Sequence, residues 1–91
     1  MELTTESSYL WQPTELWVLL TTVGETTMPR LASREVYRDH RGALQHAARG
    51  AAARWSAPVR AVPLVQWVLA DVGQIDVFDL WADFRHREVV P

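Results

Sequence analysis

Apolar residues crowd the C-terminal third of the chain. From Leu64 to Val72 and from Ile75 to Phe84 run two segments rich in Val, Trp, Phe and Leu, parted by Gly73-Gln74. A glycine followed by any one residue between two such runs reads as a two-residue type II′ hairpin turn. With Val72 opposite Ile75, one face of the hairpin collects Val65, Trp67, Leu69, Phe78, Leu80, Ala82 and Phe84, a core face. The reverse face collects Leu64, Gln66, Val68, Ala70, Val77, Asp79, Trp81 and Asp83, which is mixed. A competing pattern makes residues 75–87 an amphipathic helix with Asp76, Asp79, Asp83 and His86 on its wet side. The hairpin is preferred because one register accounts for both segments.

Before it, the spacing of Leu44, Ala47, Ala48, Ala51 and Trp55 predicts a helix over Asp39–Trp55. Asp39 is its expected N-cap, Arg41, Gln45 and Arg49 form its wet side, and Ser56-Ala57-Pro58 ends it. Gly42 and Gly50 inside a helix each cost about 1 kcal/mol relative to alanine, so they suggest close backbone approach to a sheet.

The first third reads two ways. The β-branched run Thr21, Thr22, Val23, Thr26 and Thr27 favours a strand over Glu15–Val23, a turn at Gly24-Glu25, and an irregular strand over Thr27–Arg38 that holds Pro29 and so lies near an edge. Alternatively, Pro13–Val23 is a helix with Pro first and Gly24 just past its end, followed by a short helix over Thr27–Tyr37. The strand reading, which we prefer, makes an α+β fold: an antiparallel sheet with one main helix, in the order β-β-α-β-β. The helical reading makes the α-α-α-β-β order of a winged helix-turn-helix domain. Residues 1–13 are expected to be a polar and aromatic arm, and residues 14–91 a single domain.

Composition narrows the classes. Ninety-one residues make one core, 48% of them hydrophobic and 22% charged, a globular profile. The absence of cysteine excludes disulfides, thiolate nucleophiles and Cys-rich zinc sites. Nothing near Met1–Ser8 resembles an export signal, and the apolar stretches Leu16–Leu20 and Ala61–Ala70 are too short to span a bilayer, so a cytoplasmic location is expected. All nine basic residues are arginine, which with abundant alanine points to a GC-rich bacterial or bacteriophage genome. The net charge of −2 is uneven: residues 1–27 sum to −4, residues 28–60 to +5 and residues 61–91 to −3. Such a pattern leads us to expect acidic and basic segments to neutralise one another across the fold.

Candidate chemistry is sparse. His40 and His46, six apart, point about 120° away from each other on a helix and do not share a metal, and His86 sits between two arginines. On a strand, Asp79 and Asp83 lie about 13 Å apart, wider than the ~5–9.5 Å of a glycosidase pair. Ser7, Ser8, Ser33 and Ser56 lie in no nucleophile-elbow context, and four glycines build no phosphate-cradling loop. We therefore expect no catalytic site, no metal and no cofactor.

The unusual feature is five tryptophans: Trp11, Trp17, Trp55, Trp67 and Trp81. Trp55 and Trp67 fall on core faces. Trp81 falls on the reverse face of the hairpin, so Leu64, Val68, Val77 and Trp81 form the expected protein interface. Either the segment around Tyr9, Leu10 and Trp11 covers that face or a second copy does, and the homodimer is preferred. The expected function is thus a non-enzymatic binding or accessory role through protein–protein contacts. The alternative is a winged-helix DNA-binding regulator using Arg30, Arg34, Arg38, Arg41 and Arg49, against which stand the overall acidity and a hairpin tip without basic residues. A small enzyme or ligand-binding fold with an aromatic pocket is the third class.

Overall fold

A computed structural model describes residues 16–24, 28–40, 42–83 and 88–91. The class is the one expected, an antiparallel sheet with one main helix. The chain runs β1 (Leu16–Thr21), β2 (Arg30–Leu31), β3 (Tyr37–Arg38), α1 (Ala43–Trp55), β4 (Val59–Pro63), α2 (Leu64–Asp71) and α3 (Val77–Asp83).

β1 is the central strand, and its run of Leu and Val is buried because both faces of the sheet are covered. On one side it pairs antiparallel with β2 (Leu20 opposite Leu31) and β3 (Leu16 opposite Arg38). These two short strands are the irregular strand expected over Thr27–Arg38. On its other side β1 pairs antiparallel with β4, from Trp17 opposite Pro63 to Thr21 opposite Val59. Val89 extends the sheet beyond β4 through a reciprocal pair of backbone bonds with Val59, 2.9 and 2.7 Å.

Alternation along the strands builds two cores. Leu19, Val59 and Ala61 face α1, whose Leu44, Ala48, Ala51 and Ala52 are buried against them, with Trp17, Tyr37 and Trp55 at the margin. Small alanines let this helix approach the sheet closely. Val18, Leu20 and Val62 face the other way and meet Leu80 of α3, flanked by Leu64, Trp67, Ala70, Ile75 and Trp81. A first-third strand with a partner on each side leaves no room for the winged helix order, so that alternative falls.

Three local expectations are corrected. The N-cap of α1 is Gly42, in the left-handed region at φ 79°, and not Asp39. Nothing lies within 4 Å of a Cβ built on Gly50 except the Arg54 guanidinium at 3.5 Å, so Gly50 marks no close backbone approach. The largest correction concerns the C-terminal hairpin, which does not form. Residues 64–71 and 77–83 are helices, and the strand that pairs with β1 lies earlier, at Val59–Pro63, all five residues buried.

The hydrogen bonds at the supposed turn explain the difference. Gly73 N–H donates to Ala70 O (3.1 Å) and Gln74 N–H to Leu69 O (2.8 Å), with Gly73 at φ 84°. That pair of bonds is a Schellman motif closing α2. Asp76 then opens α3: its Oδ1 accepts the Phe78 N–H (2.8 Å) and its carbonyl accepts the Leu80 N–H (3.0 Å). Phe78 and Ala82, expected in the core, are exposed, while Leu80 is buried. The helix pattern with Asp76, Asp79 and Asp83 on the wet side is the one the chain adopts, and His86 lies outside the described residues.

Candidate functional site

The expected interface residues separate once the hairpin is replaced by two helices. Leu64 and Trp81 turn inward onto the core of Val18, Leu20, Val62 and Leu80. Val77 is half-buried and Val68 is 48% exposed. Trp81 is therefore not the open anchor that the hairpin would have made it.

What holds Trp81 is Arg60, which occupies the β4 position opposite Leu20 and so points into this layer. Its guanidinium carbon lies 4.0 Å from the centroid of a Trp81 ring, a cation–π contact. Its Nη1 donates to the Trp81 carbonyl oxygen, and its Nη2 lies 3.3 Å from Glu88 Oε2. Nε is buried without a hydrogen-bond partner. A charged side chain 11% exposed thus ties β4, the end of α3 and the C-terminal segment together.

The outward side of α2 is the most unusual surface. Its sequence, Leu-Val-Gln-Trp-Val-Leu-Ala-Asp, is apolar around nearly its whole circumference, yet six of its eight residues are only half-buried and Val68 and Asp71 are exposed. Val68 and Val72 stand one helical turn apart, and Val72 is 62% exposed; across the short turn Phe78 is 52% exposed. Asp71, Asp76, Asp79 and Asp83 are exposed on the same pair of helices. Asp79 and Asp83, one turn apart on α3, bring their Cβ atoms to about 5–6 Å, closer than a strand would place them. Both are exposed on the helix surface.

The arginines lie elsewhere. Arg30 and Arg38 sit on β2 and β3, opposite Thr21 and Leu16, which places them roughly 16 Å apart along the sheet edge. Arg34 lies between them, Arg49 is on α1, all four are exposed, and Arg41 lies outside the described residues. Arg30, Arg34 and Arg49 make no ion pair with a described carboxylate, so the expected neutralising network with Glu35, Asp39 and the C-terminal acids is not what these three form. Among the described residues, the α1 and β2–β3 side carries Arg30, Arg34, Arg38, Arg49 and Arg54 against Glu35 and Asp39, while residues 64–83 carry four aspartates and no base.

A shallow cleft of about 350 Å³ opens between α1 and the β2–β3 loop, lined by Ser33, Glu35, Tyr37, His46, Ala47, Gly50 and Arg54. Ser33 Oγ and Tyr37 Oη are hydrogen-bonded at 2.8 Å, and Ser33 Oγ also accepts the Glu35 N–H at 3.1 Å. Trp55 Nε1 donates to Ala32 O (2.8 Å), pinning the end of α1 to the same loop. Sequence reading missed this grouping because its members come from a loop and a helix, with no motif spacing to join them. Among the described residues no three His, Asp or Glu side chains come together to hold a metal ion, and no helix is long and apolar enough to cross a membrane. Comparison with protein-family models, with curated proteins and with solved structures finds no match to this chain.

Proposed function

We propose that this chain is a small non-enzymatic binding or accessory protein that acts through protein–protein contacts, and that its contact surface is the outer side of α2 with the start of α3. One observation carries the proposal: a helix apolar on nearly all sides that is half-buried along its inner side and leaves Val68, with Val72 just beyond it, exposed. Helices of that composition occur in cores or in membranes, because an apolar surface left in water costs about 25 cal/mol for each Å². At eight residues α2 is too short to span a bilayer, so a protein surface is the natural cover. Of the four residues expected at the interface, Val68 and Val77 belong to this surface, joined by Val72 and Phe78, while Leu64 and Trp81 support it from below.

A cytoplasmic setting fits a chain without cysteine. A photoactivatable residue in place of Val68, compared with one in place of Arg49 on the opposite layer, tests the surface in cells of the source. Protein adducts at position 68 and none at 49 are expected; equal labelling at both positions, or none at 68, contradicts the proposal.

The exposed Arg30, Arg34 and Arg49, without carboxylate partners among the described residues, favour one second reading, contact with nucleic-acid phosphates along the β2–β3 edge and α1. Random duplex DNA at low salt decides it: binding that falls steeply as salt rises supports that reading, and no binding removes it.

A further inference from the structure

We propose that the partner of the α2–α3 surface is a basic amphipathic segment of another protein, one that presents Arg or Lys flanking an apolar stripe. This rests on the reading of that surface as a protein-binding site and adds the chemistry of what binds there.

The surface has two parts. Its centre is apolar: Val68, Val72 and Phe78, each 48–62% exposed. Val72 opens the five-residue connection 72–76 and Phe78 lies in the first turn of α3, so both are at the turn end of the helix pair. The same two helices and their connection carry Asp71, Asp76, Asp79 and Asp83, all exposed. Asp76 uses one oxygen to cap α3; the side chains of Asp71, Asp79 and Asp83 make no hydrogen bond or ion pair with another described residue. No described basic residue reaches them: Arg60, the one described cation on this side of the sheet, is stacked on Trp81 and turned to Glu88. An apolar centre whose described charged neighbours are all of one sign has the anatomy of a site that selects its partner by the opposite sign.

Charge also decides among occupants. A second copy docking face to face would bring two sets of four carboxylates around one apolar contact, and like charges across an interface cost several kcal/mol. The chain's own residues 1–15 carry Glu2, Glu6 and Glu15 and no base. Anionic lipid and nucleic acid are repelled by the same rim. A cationic segment gains from every carboxylate it meets, and an amphipathic helix is the form in which a short segment offers an apolar stripe between charged flanks.

The test uses the full chain and two fluorescent synthetic helical peptides with the same leucine stripe, one flanked by Arg and one by Glu, read by anisotropy. We expect the Arg peptide to bind, its Kd to rise about tenfold or more between roughly 50 and 300 mM salt, and the Glu peptide not to bind. Replacing Asp71, Asp79 and Asp83 together by Asn, with the capping Asp76 left in place, is expected to weaken the Arg peptide by about five- to tenfold. Replacing Val68 and Val72 together by Ser is expected to weaken it further. Equal binding of both peptides, or no effect of the three Asn substitutions, overturns the basic-partner inference while leaving the protein-binding surface standing if the Ser substitutions still abolish binding. Binding indifferent to the Ser substitutions, or absent for both peptides, overturns both.

Discussion

Arg60 is the residue on which the second core turns. It is the one charge in an otherwise apolar strand, and its stem lies among Leu20, Val62 and Trp81 while its head reaches the Trp81 carbonyl and Glu88. Removing one partner of a buried charge cluster costs about 3–5 kcal/mol when the other charge stays buried, but Glu88 is 32% exposed and rehydrates. Arg60→Ala is therefore expected to cost about 2–4 kcal/mol in urea denaturation, mostly through lost packing and the cavity under Trp81. Glu88→Gln is expected to cost under about 1 kcal/mol, because water screens its half of the pair. Equal losses in the two variants would mean that the ion pair, and not the stacking on Trp81, holds α3 to β4. Gly50 makes the opposite case: its helical backbone, and a Cβ that would meet only the Arg54 guanidinium at an ordinary contact distance, predict that Gly50→Ala raises stability by up to about 1 kcal/mol.

At the scale of elements, the same residues at 73–74 show what was legible in the sequence and what was not. A positive-φ glycine begins a type II′ turn and equally closes a helix, so Gly73-Gln74 announces a reversal without saying which kind. The flanking runs do not decide it either. Residues 64–72 are apolar on all sides, and a short apolar run carries no period to separate helix from strand. By contrast the alanine stripe of α1 has a clear helical spacing, and β1 is marked by its β-branched end, Thr21, whose hydroxyl donates to Pro58 O at 2.8 Å. Pro63 provides a further signal: it ends β4 in an extended conformation and caps α2, which shifts the strand five residues earlier than expected. The candidate surface was legible in part. Val68, expected on an unsheltered face, is exposed, Val77 is half-buried, and Val72 and Phe78 were assigned by a register the chain does not use. Two substitutions check the helical assignment. Asp76→Ala removes the α3 cap and is expected to cost about 1 kcal/mol. Gly73→Ala is expected to cost about 1–2 kcal/mol through its left-handed backbone. Far-UV circular dichroism of the intact chain should show helix in excess of strand, and a strand-dominated spectrum would contradict the pair α2–α3.

For the whole molecule, the separation of described charges into layers matters more than the net value of −2. Among the described residues, a net positive α1 and β2–β3 side and a negative 64–83 side favour oppositely charged partners on opposite sides. It also bears on self-association. Light scattering of the 10.4 kDa chain is expected to give the monomer mass at low salt, where the acidic rims repel most strongly. A dimer mass that Val68→Glu reduces to monomer would instead establish the homodimer through α2.

The central claim is that the outer side of α2 is where this protein meets another, and a titration of the isotopically labelled chain with the Arg-flanked peptide, followed by amide chemical shifts, tests it most directly. Shifts concentrated in residues 64–83 are the predicted result; shifts confined to α1 and the β2–β3 edge, with residues 64–83 unmoved, would contradict it.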